Sequence, residues 1–414
     1  MHSRGHHLMR SGLLFANGGG LLGRLFGSGV EWLLDLLDER IAEGGIEATL
    51  PDGARRRIGF HAPGPTAVVT LNSWYALVRL ATSGSIGWYR AWAKGEWRSP
   101  DPVVLFELFM RNASNLGDAA RAKGSVRLLN LFRHRLRDNG PLRARDNIAA
   151  HYDLGNDFYR AWLDPTMTYS SALFDRGGNL EAGQRRKVQT LLDRLELKPG
   201  ERLLELGCGW GSLAIEAARR GAQVVGLTLS TEQQEWARAA VRDAGVEDRV
   251  DIRLQDYREI DERFDRVASV EMVEAVGQRW WPAYLDCIAR SLGPGGSAAL
   301  QLISIRHELF ADYAASADFI QAYIFPGGCL IDEPRFAALA AERGLDWRDR
   351  HGFGLDYAET LRQWRERYDA AVAAGRLQGF SAEFHDLWRY YLMYCEGGFR
   401  GEGIDVAQVT LVKA

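Results

Sequence analysis

The sequence predicts a doubly wound α/β domain together with a smaller amino-terminal α+β domain. The central observation is an apolar strand at residues 203–206, which runs into the glycine-rich turn Gly207-Cys208-Gly209-Trp210-Gly211 and then into a helix at 212–220. Two further strands, 223–227 and 250–254, are each followed by polar residues. Polar groups at three strand ends beside one glycine turn are typical of a ligand site in an open parallel sheet.

Short strands predict the amino-terminal domain. Strands at 46–50 and 57–61 are separated by the turn Pro51-Asp52-Gly53, and a third strand at 67–71 precedes a helix at 74–81. Runs of this length bounded by turn residues are typical of a small sheet. We therefore expect an α+β unit over about residues 45–115.

Two stretches near this unit are apolar enough to contact either a protein core or a lipid bilayer. Residues 30–41 predict a helix with Trp32, Leu33, Leu36 and Leu37 on one face. The run at 84–97 carries four aromatic residues. In both stretches packing in a core is the favoured interpretation, and a lipid-contacting surface is the alternative.

Composition limits the class of protein. A chain of 414 residues suggests two or three domains, and its 46% hydrophobic and 25% charged residues are ordinary for a globular protein. The net charge of −3 gives no general attraction to nucleic acid. Four cysteines without a Cys-x-x-Cys pair suggest neither disulfides nor a metal site, and therefore a reducing cytoplasm. Charges interrupt the apolar stretch 13–37, so we expect no signal peptide and no spanning helix.

A basic segment separates the two predicted domains. Between residues 121 and 145, eight arginines and lysines are interspersed with leucines and are opposed only by Asp138 and Asp146. Such a run is either a solvated linker or an amphipathic surface that rests on an anionic membrane. A nucleic-acid site is a third, less favoured interpretation. The predicted division is an amino-terminal lipid-associated or dimerisation domain at 1–118, a basic linker at 119–146 and a carboxy-terminal domain at 147–414.

The glycine turn indicates the kind of ligand. Glycines at 207, 209 and 211 let backbone approach a ligand closely, and the following helix offers free N–H groups. Glu205 at the strand end suits a cationic, amino-acid-like ligand better than a dinucleotide. The spacing Glu-x-Gly-x-Gly-x-Gly resembles the first motif of S-adenosylmethionine-dependent methyltransferases. A dinucleotide fingerprint and a tight turn without ligand are the alternatives.

Further motifs make the resemblance specific. They are His151-Tyr152-Asp153-Leu154-Gly155-Asn156, Asp164-Pro165-Thr166-Met167-Thr168-Tyr169-Ser170, Thr228-Leu229-Ser230-x-x-Gln233-Gln234, Tyr323-Ile324-Phe325-Pro326-Gly327-Gly328 and Phe353-Gly354-x-Asp356-Tyr357. In this order the chain closely resembles cyclopropane-fatty-acyl-phospholipid synthases and mycolic acid cyclopropane synthases, densely over 147–414. The resemblance implies a seven-stranded, Rossmann-like methyltransferase domain that moves a methyl group from S-adenosylmethionine to a carbon–carbon double bond of an unsaturated phospholipid.

The resemblance also implies roles for individual residues. Tyr169 and Ser170 are expected at the methionine end of the cofactor, Thr228 and Gln233 at the ribose, and Gln255 with Asp256 at the adenine. Helix capping is the alternative for Thr228 and Ser230. The full set of expected cofactor-binding residues is Tyr169, Ser170, Glu205, Gly207, Gly209, Gly211, Thr228, Ser230, Gln233, Gln255 and Asp256.

Departures from the family pattern concern proton removal. In ring-forming relatives the base is a bicarbonate held by a cysteine backbone, a glutamate, a histidine and a tyrosine. The matching glutamate is Glu274, whereas the other positions carry Ser171, Gln301 and Arg365. The expected catalytic set is Glu274, Glu271, Gln301 and Ser171.

Glu271 stands where these relatives carry glycine, three residues before Glu274. Two close carboxylates tend to raise the pKa of one of them, which makes it a better base. Together with the altered bicarbonate positions, this pattern resembles enzymes that methylenate oleoyl chains, which implies a methylene product, with a cyclopropane ring as the alternative. The alternative is a structural role for Glu271, in which it pairs with Arg365 or another cation.

The remaining expectations concern the substrate and partners. The acyl chain is expected to lie along Tyr323, Phe325, Phe353, Tyr357 and Trp364. Each of these residues taken alone is more simply explained as part of the hydrophobic core. A methylene product implies a separate reductase, and a homodimer is compatible with the sequence. The competing functions are methylation of an oxygen or nitrogen on a soluble metabolite and lipid binding without catalysis. The expected location is the cytoplasmic face of a membrane, at its surface.

Overall fold

The computed structural model describes residues 4–13, 31–117, 140, 154–175 and 178–414. Its strands are β1 Gly45–Thr49, β2 Arg55–Gly59, β3 Thr66–Leu71, β4 Trp97–Arg98, β5 Arg202–Leu206, β6 Gln223–Thr228, β7 Val250–Leu254, β8 Phe264–Val270, β9 Leu292–Ile305, β10 Leu345–Gly352 and β11 Ile404–Lys413. Its helices are α1 His6–Leu13, α2 Glu31–Arg40, α3 Tyr75–Ala93, α4 Pro102–Arg111, α5 Ala113–Leu116, α6 Asn156–Arg160, α7 Leu180–Arg194, α8 Ser212–Arg219, α9 Thr231–Asp243, α10 Val273–Val276, α11 Trp281–Ser291, α12 His307–Ala314, α13 Phe319–Tyr323, α14 Glu333–Ala341, α15 Gly354–Ala373 and α16 Ala382–Arg400.

The chain divides into two compact units that do not follow simple sequence order. The first comprises Met1–Arg137, Arg306–Pro326 and Gly379–Ile404, and the second comprises Asp138–Ile305, Gly327–Gln378 and Asp405–Ala414. The contiguous carboxy-terminal domain expected at 147–414 thus contributes two segments to the first unit. Apart from Gly140, the basic linker expected at 119–146 lies outside the described residues.

The two late segments join the first unit because their helices bury aromatic side chains there. Tyr390 of α16 packs 5.2 Å from Phe106 of α4 between ring centroids, and Phe319 of α13 packs 4.9 Å from Tyr89 of α3. These contacts link residues more than 200 positions apart, which no local pattern reveals.

The sheet of the first unit has the strand order β2-β1-β3-β4, with β1 parallel to β3 and antiparallel pairs at both edges. Its first three strands are those that the sequence predicts. Trp88 and Trp97 are buried and stacked with centroids 4.4 Å apart, so this part of the aromatic run forms core.

Helix α2 confirms the predicted helix but not all of its face. Leu33, Leu34 and Leu37 are buried, whereas Trp32 is 61% exposed, so Trp32 does not belong to the core-facing stripe. Among the described helices none is both long and apolar enough to cross a bilayer.

The second unit is built on a seven-stranded sheet of order β10-β11-β9-β8-β5-β6-β7. Strands β7, β6, β5, β8 and β9 run parallel, and β10 pairs antiparallel with β11. Strand β5 is buried from Leu203 to Leu206, which explains its continuous apolar run. The strand order reverses at β5, between β6 and β8, and ligands bind at such a switch point. The predicted doubly wound sheet is confirmed.

Candidate active site

The glycine turn follows β5 at this switch point. Gly207, Gly209 and Gly211 have φ values of +79°, +52° and +92°, which residues with a Cβ rarely adopt. A Cβ at Gly207 would lie 2.9 Å from Cγ of Met272, whereas nothing lies within 4 Å of a Cβ position at Gly209. The turn therefore leaves bare backbone beside open space, a cradle that fits a closely bound ligand.

Glu205 lies in β5 just before this turn. It is only 3% exposed, and its Oε2 has no hydrogen-bond partner among the described residues. Burial raises the pKa of Glu205 to about 8, against the opposing charge of Lys187. An orphaned carboxylate oxygen beside the cradle fits the ammonium group of an amino-acid-like cofactor.

The ends of β6 and β7 carry polar groups that are already engaged with one another. Thr228 Oγ1 donates to Gln233 Oε1 at 2.8 Å, and Ser230 Oγ caps α9 by accepting from Gln233 N at 3.2 Å. The capping alternative thus describes Ser230. Beyond β7, Asp256 accepts hydrogen bonds from Arg258 on both carboxylate oxygens, at 2.9 and 2.6 Å. Half-buried Gln255 donates its backbone N–H to Thr228 O at 3.1 Å.

The segment 169–174 is irregular, and side chains from two helices hold it. Ser170 Oγ accepts from Lys187 Nζ at 2.5 Å, and Ser170 O accepts from Gln184 Nε2 at 2.7 Å, both on α7. Ala172 N donates to Thr360 Oγ1 of α15 at 3.0 Å. The segment is thereby fixed on both sides of Ser171.

Three donors converge on the carboxylate of Glu271. Ser171 N donates to Oε1 at 2.9 Å, Gln301 Nε2 donates to Oε1 at 2.8 Å, and the hydroxyl of Tyr357 donates to Oε2 at 2.7 Å. Glu271 follows β8, Gln301 lies within the neighbouring strand β9, and Tyr357 lies on α15. We call Glu271, Glu274, Ser171, Gln301 and Tyr357 the carboxylate cluster.

The two glutamates of the cluster have different hydrogen-bond partners. Burial raises the pKa of Glu271, and the nearby Lys187 charge and the three donors oppose that rise. Burial raises the pKa of Glu274 to about 8, and the charge of Glu271 adds to the rise. Glu274 accepts a hydrogen bond from Ile303 N on Oε1, whereas its buried Oε2 has no partner among the described residues. Glu271 therefore has donors on both carboxylate oxygens and a cation that favours its ionised form, whereas the surroundings of Glu274 favour its protonated form.

The backbone at Glu271 is unusual. Its φ is +48°, in the left-handed region where glycine is normally found. The resemblance to glycine-bearing relatives at this position is consistent with that conformation. A bulky residue held there costs on the order of 1–3 kcal/mol, and such strain clusters at functional sites.

A tyrosine hydroxyl reaches the cluster, as it does in the family pattern, but from another position. It comes from Tyr357, which was expected in the acyl pocket, and the position that matches the family's tyrosine carries Arg365 on the same helix α15. The donors that hold Glu271 are Ser171, Gln301 and Tyr357, so the interpretation of Glu271 as one half of an ion pair is not needed to explain its place in the fold.

The other residues assigned to the acyl pocket belong to different units. Phe353 and Trp364 are buried in the second unit, where the Trp364 ring lies 5.2 Å from that of Tyr169. Tyr323 and Phe325 belong to the first unit, where the Tyr323 hydroxyl accepts from Arg90 Nε at 3.2 Å.

Lys187 is the main residue that the sequence analysis missed. It is 1% exposed and stands within the buried stripe of α7, between Gly183 and Leu191. A lysine that interrupts the apolar face of an amphipathic helix is the signal that would have found it. Gln408 of β11 was also missed, and its Nε2 donates to Gln301 Oε1 at 3.1 Å.

The fold, the cradle and the buried glutamates together define an S-adenosylmethionine-dependent methyltransferase. The family model for mycolic acid cyclopropane synthetase matches residues 141–409, and the chain belongs to this family. It is therefore an enzyme, and its cofactor is S-adenosylmethionine.

Individual relatives cover most of the chain. The tuberculostearic acid methyltransferase UfaA1 of Mycobacterium tuberculosis is 39% identical over 345 residues, 81% of this chain and 80% of the relative. The cyclopropane-fatty-acyl-phospholipid synthase of Escherichia coli K12 is 37% identical over 340 residues, 80% and 84% of the two chains.

A solved structure of the mycolic acid cyclopropane synthase CmaA1, complexed with SAH and CTAB, shares the fold. It is 33% identical, with a TM-score of 0.60, and the match covers 65% of this chain and 98% of that one.

Proposed function

We propose that this enzyme transfers a methyl group from S-adenosylmethionine to the carbon–carbon double bond of an unsaturated phospholipid acyl chain, and that Glu271 then removes a proton to leave a methylene group. The observation that carries the proposal is the convergence of Ser171 N–H, the Gln301 amide and the Tyr357 hydroxyl on one carboxylate. Relatives named for fatty acid methylation and cyclopropane formation support the substrate class.

The residues around the glycine turn suit the cofactor. We assign the ammonium group to the orphaned Oε2 of Glu205, and the backbone of Gly207 and Gly209 to close contact with the methionine part. Thr228 and Gln233, already joined by a hydrogen bond, are assigned to the ribose hydroxyls. When bound, S-adenosylmethionine supplies an electrophilic methyl group.

Glu271 is suited to act as the base. The resemblance implies that in ring-forming relatives a cysteine backbone, a glutamate, a histidine and a tyrosine hold bicarbonate, whereas here a backbone N–H, an amide and a tyrosine hydroxyl hold a side-chain carboxylate. Burial raises the pKa of Glu271, while its hydrogen bonds and the Lys187 charge oppose that rise and favour the ionised form. A carboxylate with a raised pKa is a stronger base than an exposed one.

The product depends on whether a hydride shifts along the acyl chain before the methyl group loses its proton. Addition of a methyl group to one alkene carbon leaves a cation on its neighbour. If a hydride moves from the methylated carbon to that neighbour, loss of a methyl proton gives a methylene group. If the methyl carbon instead bonds to the cation as it loses the proton, a cyclopropane ring forms. Ring formation is the second candidate, favoured by the 37% identity to the cyclopropane-fatty-acyl-phospholipid synthase.

We also propose that the enzyme acts at a membrane surface and that a second enzyme uses its product. We assign the basic segment at 119–146 to contact with the anionic surface of a membrane, where each cation contributes about 1 kcal/mol. A methylene product would require a separate reductase to become a methyl branch.

The test is the fatty acid profile of a heterologous host that is fed oleate and expresses this chain. We expect a fatty acid heavier by one CH₂, which mild hydrogenation converts to a methyl-branched chain while a cyclopropane standard resists. The variant Glu271→Gln should lower product formation at least about a hundredfold, as expected for loss of a general base.

A second variant separates the base from the pocket around it. Glu271→Gly removes the carboxylate and relieves the positive φ, so added bicarbonate should restore part of its activity. A product that reacts like the ring standard would replace the methylene assignment with cyclopropane formation. Full activity of Glu271→Gln would remove Glu271 from the reaction.

A further inference from the structure

We propose that Lys187 is a positioning residue of the carboxylate cluster, which holds Ser170 by its hydroxyl and supplies a positive charge that favours the ionised form of Glu271. The catalytic role of Lys187 rests on the proposed function, because Lys187 acts through Glu271, the proposed base.

Two chains of hydrogen bonds connect Lys187 to Glu271. From the side chain, Nζ donates to Ser170 Oγ at 2.5 Å, and the next residue, Ser171, donates its N–H to Glu271 Oε1 at 2.9 Å. From the backbone, Lys187 O accepts from Gln408 Nε2 at 3.1 Å. Gln408 Nε2 also donates to Gln301 Oε1 at 3.1 Å, and Gln301 Nε2 donates to Glu271 Oε1 at 2.8 Å.

The charges around the ammonium group are complementary to it. Lys187 is fully buried, and the carboxylates that act on it are Glu271 after β8, Asp164 after α6 and Glu205 in β5. On the other side of the cluster, Glu271 also faces Glu274 and the hydroxyl of Tyr357. A buried lysine without such neighbours would lose its proton, because removing an ammonium group from water is costly.

Burial lowers the pKa of Lys187 to about 8, and the three carboxylates oppose this change. Below that pH the ammonium form persists. Within the part of the chain that the structure describes, Lys187 is the cation that acts on both Glu205 and Glu271, the two acids assigned to the cofactor and to proton removal. The position of Lys187 therefore couples cofactor loading to the state of the base.

The test is the titration of the Glu271 carboxyl group, followed by its infrared band in difference spectra against Glu271→Gln. Removing the charge with Lys187→Met should raise the deprotonation midpoint of Glu271 by at least about one pH unit. Lys187→Gln, which keeps an amide donor for Ser170, should raise it similarly. Arg185→Met, an exposed residue of the same helix paired with Glu181, should leave the midpoint unchanged.

A reciprocal measurement leaves Lys187 in place. Because coupling between two titrating groups is mutual, Glu271→Gln should lower the pKa of the Lys187 ammonium group, followed by nitrogen NMR of labelled lysine. Unchanged midpoints in folded Lys187→Gln, or an unchanged lysine titration in Glu271→Gln, would overturn the assignment.

Turnover supplies an independent readout. In active enzyme the acid limb of the kcat/KM profile should move to higher pH in Lys187→Gln, whereas a purely structural defect would lower activity equally at every pH. The titrations require no turnover, so wild-type enzyme that methylates no unsaturated phospholipid would refute the proposed function and leave the Lys187 assignment to be decided by spectroscopy.

Discussion

At the scale of single residues, the second unit carries a concentration of buried titratable groups. Glu205, Glu271 and Glu274 are buried in or shortly after the neighbouring strands β5 and β8, and Lys187 is buried on helix α7. Buried charges reduce folding stability unless they are paired, and they persist where a ligand or a reaction uses them. The cofactor-free protein therefore carries a stability cost at the residues that its activity requires.

Glu205→Gln should expose that cost. The pKa of Glu205 is about 8 in the folded protein, above its ordinary value of 4.5, so the folded state retains a proton that the unfolded chain loses. Stability is therefore lost as pH rises from about 4.5 to about 8. We expect Glu205→Gln to match wild type near pH 5 and to be more stable near pH 8 by on the order of 1 kcal/mol or more.

The measurement is urea unfolding of cofactor-free protein at both pH values, together with S-adenosylmethionine binding, which Glu205→Gln should weaken. Glu216→Gln, the same carboxyl-to-amide change at a half-buried acid on α8 that lies 3.8 Å from Arg219, is the matched control. Equal stability of wild type and Glu205→Gln at both pH values would show that Glu205 carries no such cost.

At the scale of elements, the turn between β5 and α8 needs glycine for two separate reasons, the positive φ of its backbone and the space beside it for a ligand. Gly209 and Gly245 both have a positive φ, +52° and +66°, and neither has any atom within 4 Å of a Cβ position. Gly209 lies in the cradle, whereas Gly245 follows the end of α9. Alanine imposes similar backbone strain at both, but only at Gly209 does the methyl group enter the proposed cofactor space.

Gly209→Ala and Gly245→Ala should therefore each lose about 1 kcal/mol of stability. Only Gly209→Ala should also weaken S-adenosylmethionine binding, by at least about tenfold. Thermal unfolding and calorimetric titration of both variants check this. Equal affinity in the two variants would place the cofactor away from Gly209.

The same elements show what sequence can predict. Strands β5, β6 and β7 were predicted within one or two residues, because β5 and β6 are mainly apolar runs and β7 alternates apolar with charged residues. The helix predicted at 74–81 ends near a real break in α3, since Gly84 has a non-helical backbone with φ +56°, and a second helical stretch that was not predicted follows to Ala93. The cofactor turn was found because all its residues are adjacent in sequence.

The carboxylate cluster was only partly predictable. Glu271 and Glu274 are close in sequence, and a resemblance identified positions 171 and 301. The contacts of Tyr357, Lys187 and Gln408 depend on helices and strands more than 80 residues away. No local propensity encodes such pairings, so the identity of the hydroxyl and of the buried cation came only from the structure.

At the scale of the whole molecule, the two units are interleaved along the chain. Helix α16 packs so closely on α4 that a Cβ at Gly397 would lie 2.4 Å from Cβ of Phe106. A shortened protein of residues 138–414 would keep α16 and lose α4, which exposes an apolar helix face.

We therefore expect the 138–414 protein to aggregate, although it contains every residue assigned to the reaction. Co-expression of residues 1–137 as a separate chain should restore solubility and cofactor binding. Size-exclusion chromatography of both preparations is the measurement. A soluble, monodisperse 138–414 protein that binds S-adenosylmethionine would show that the second unit folds without α4.

The interleaving also bears on synthesis at the ribosome. Helix α4 emerges early, but α16, which covers it, lies within the last 33 residues of the 414-residue chain. The unit that is translated first thus completes its core last, after the seven-stranded sheet has largely emerged. Helix α4 can pack on β3 and Trp97 as soon as it emerges, but its face toward α16 stays uncovered until the end of synthesis, so the nascent chain is expected to depend on chaperones during elongation.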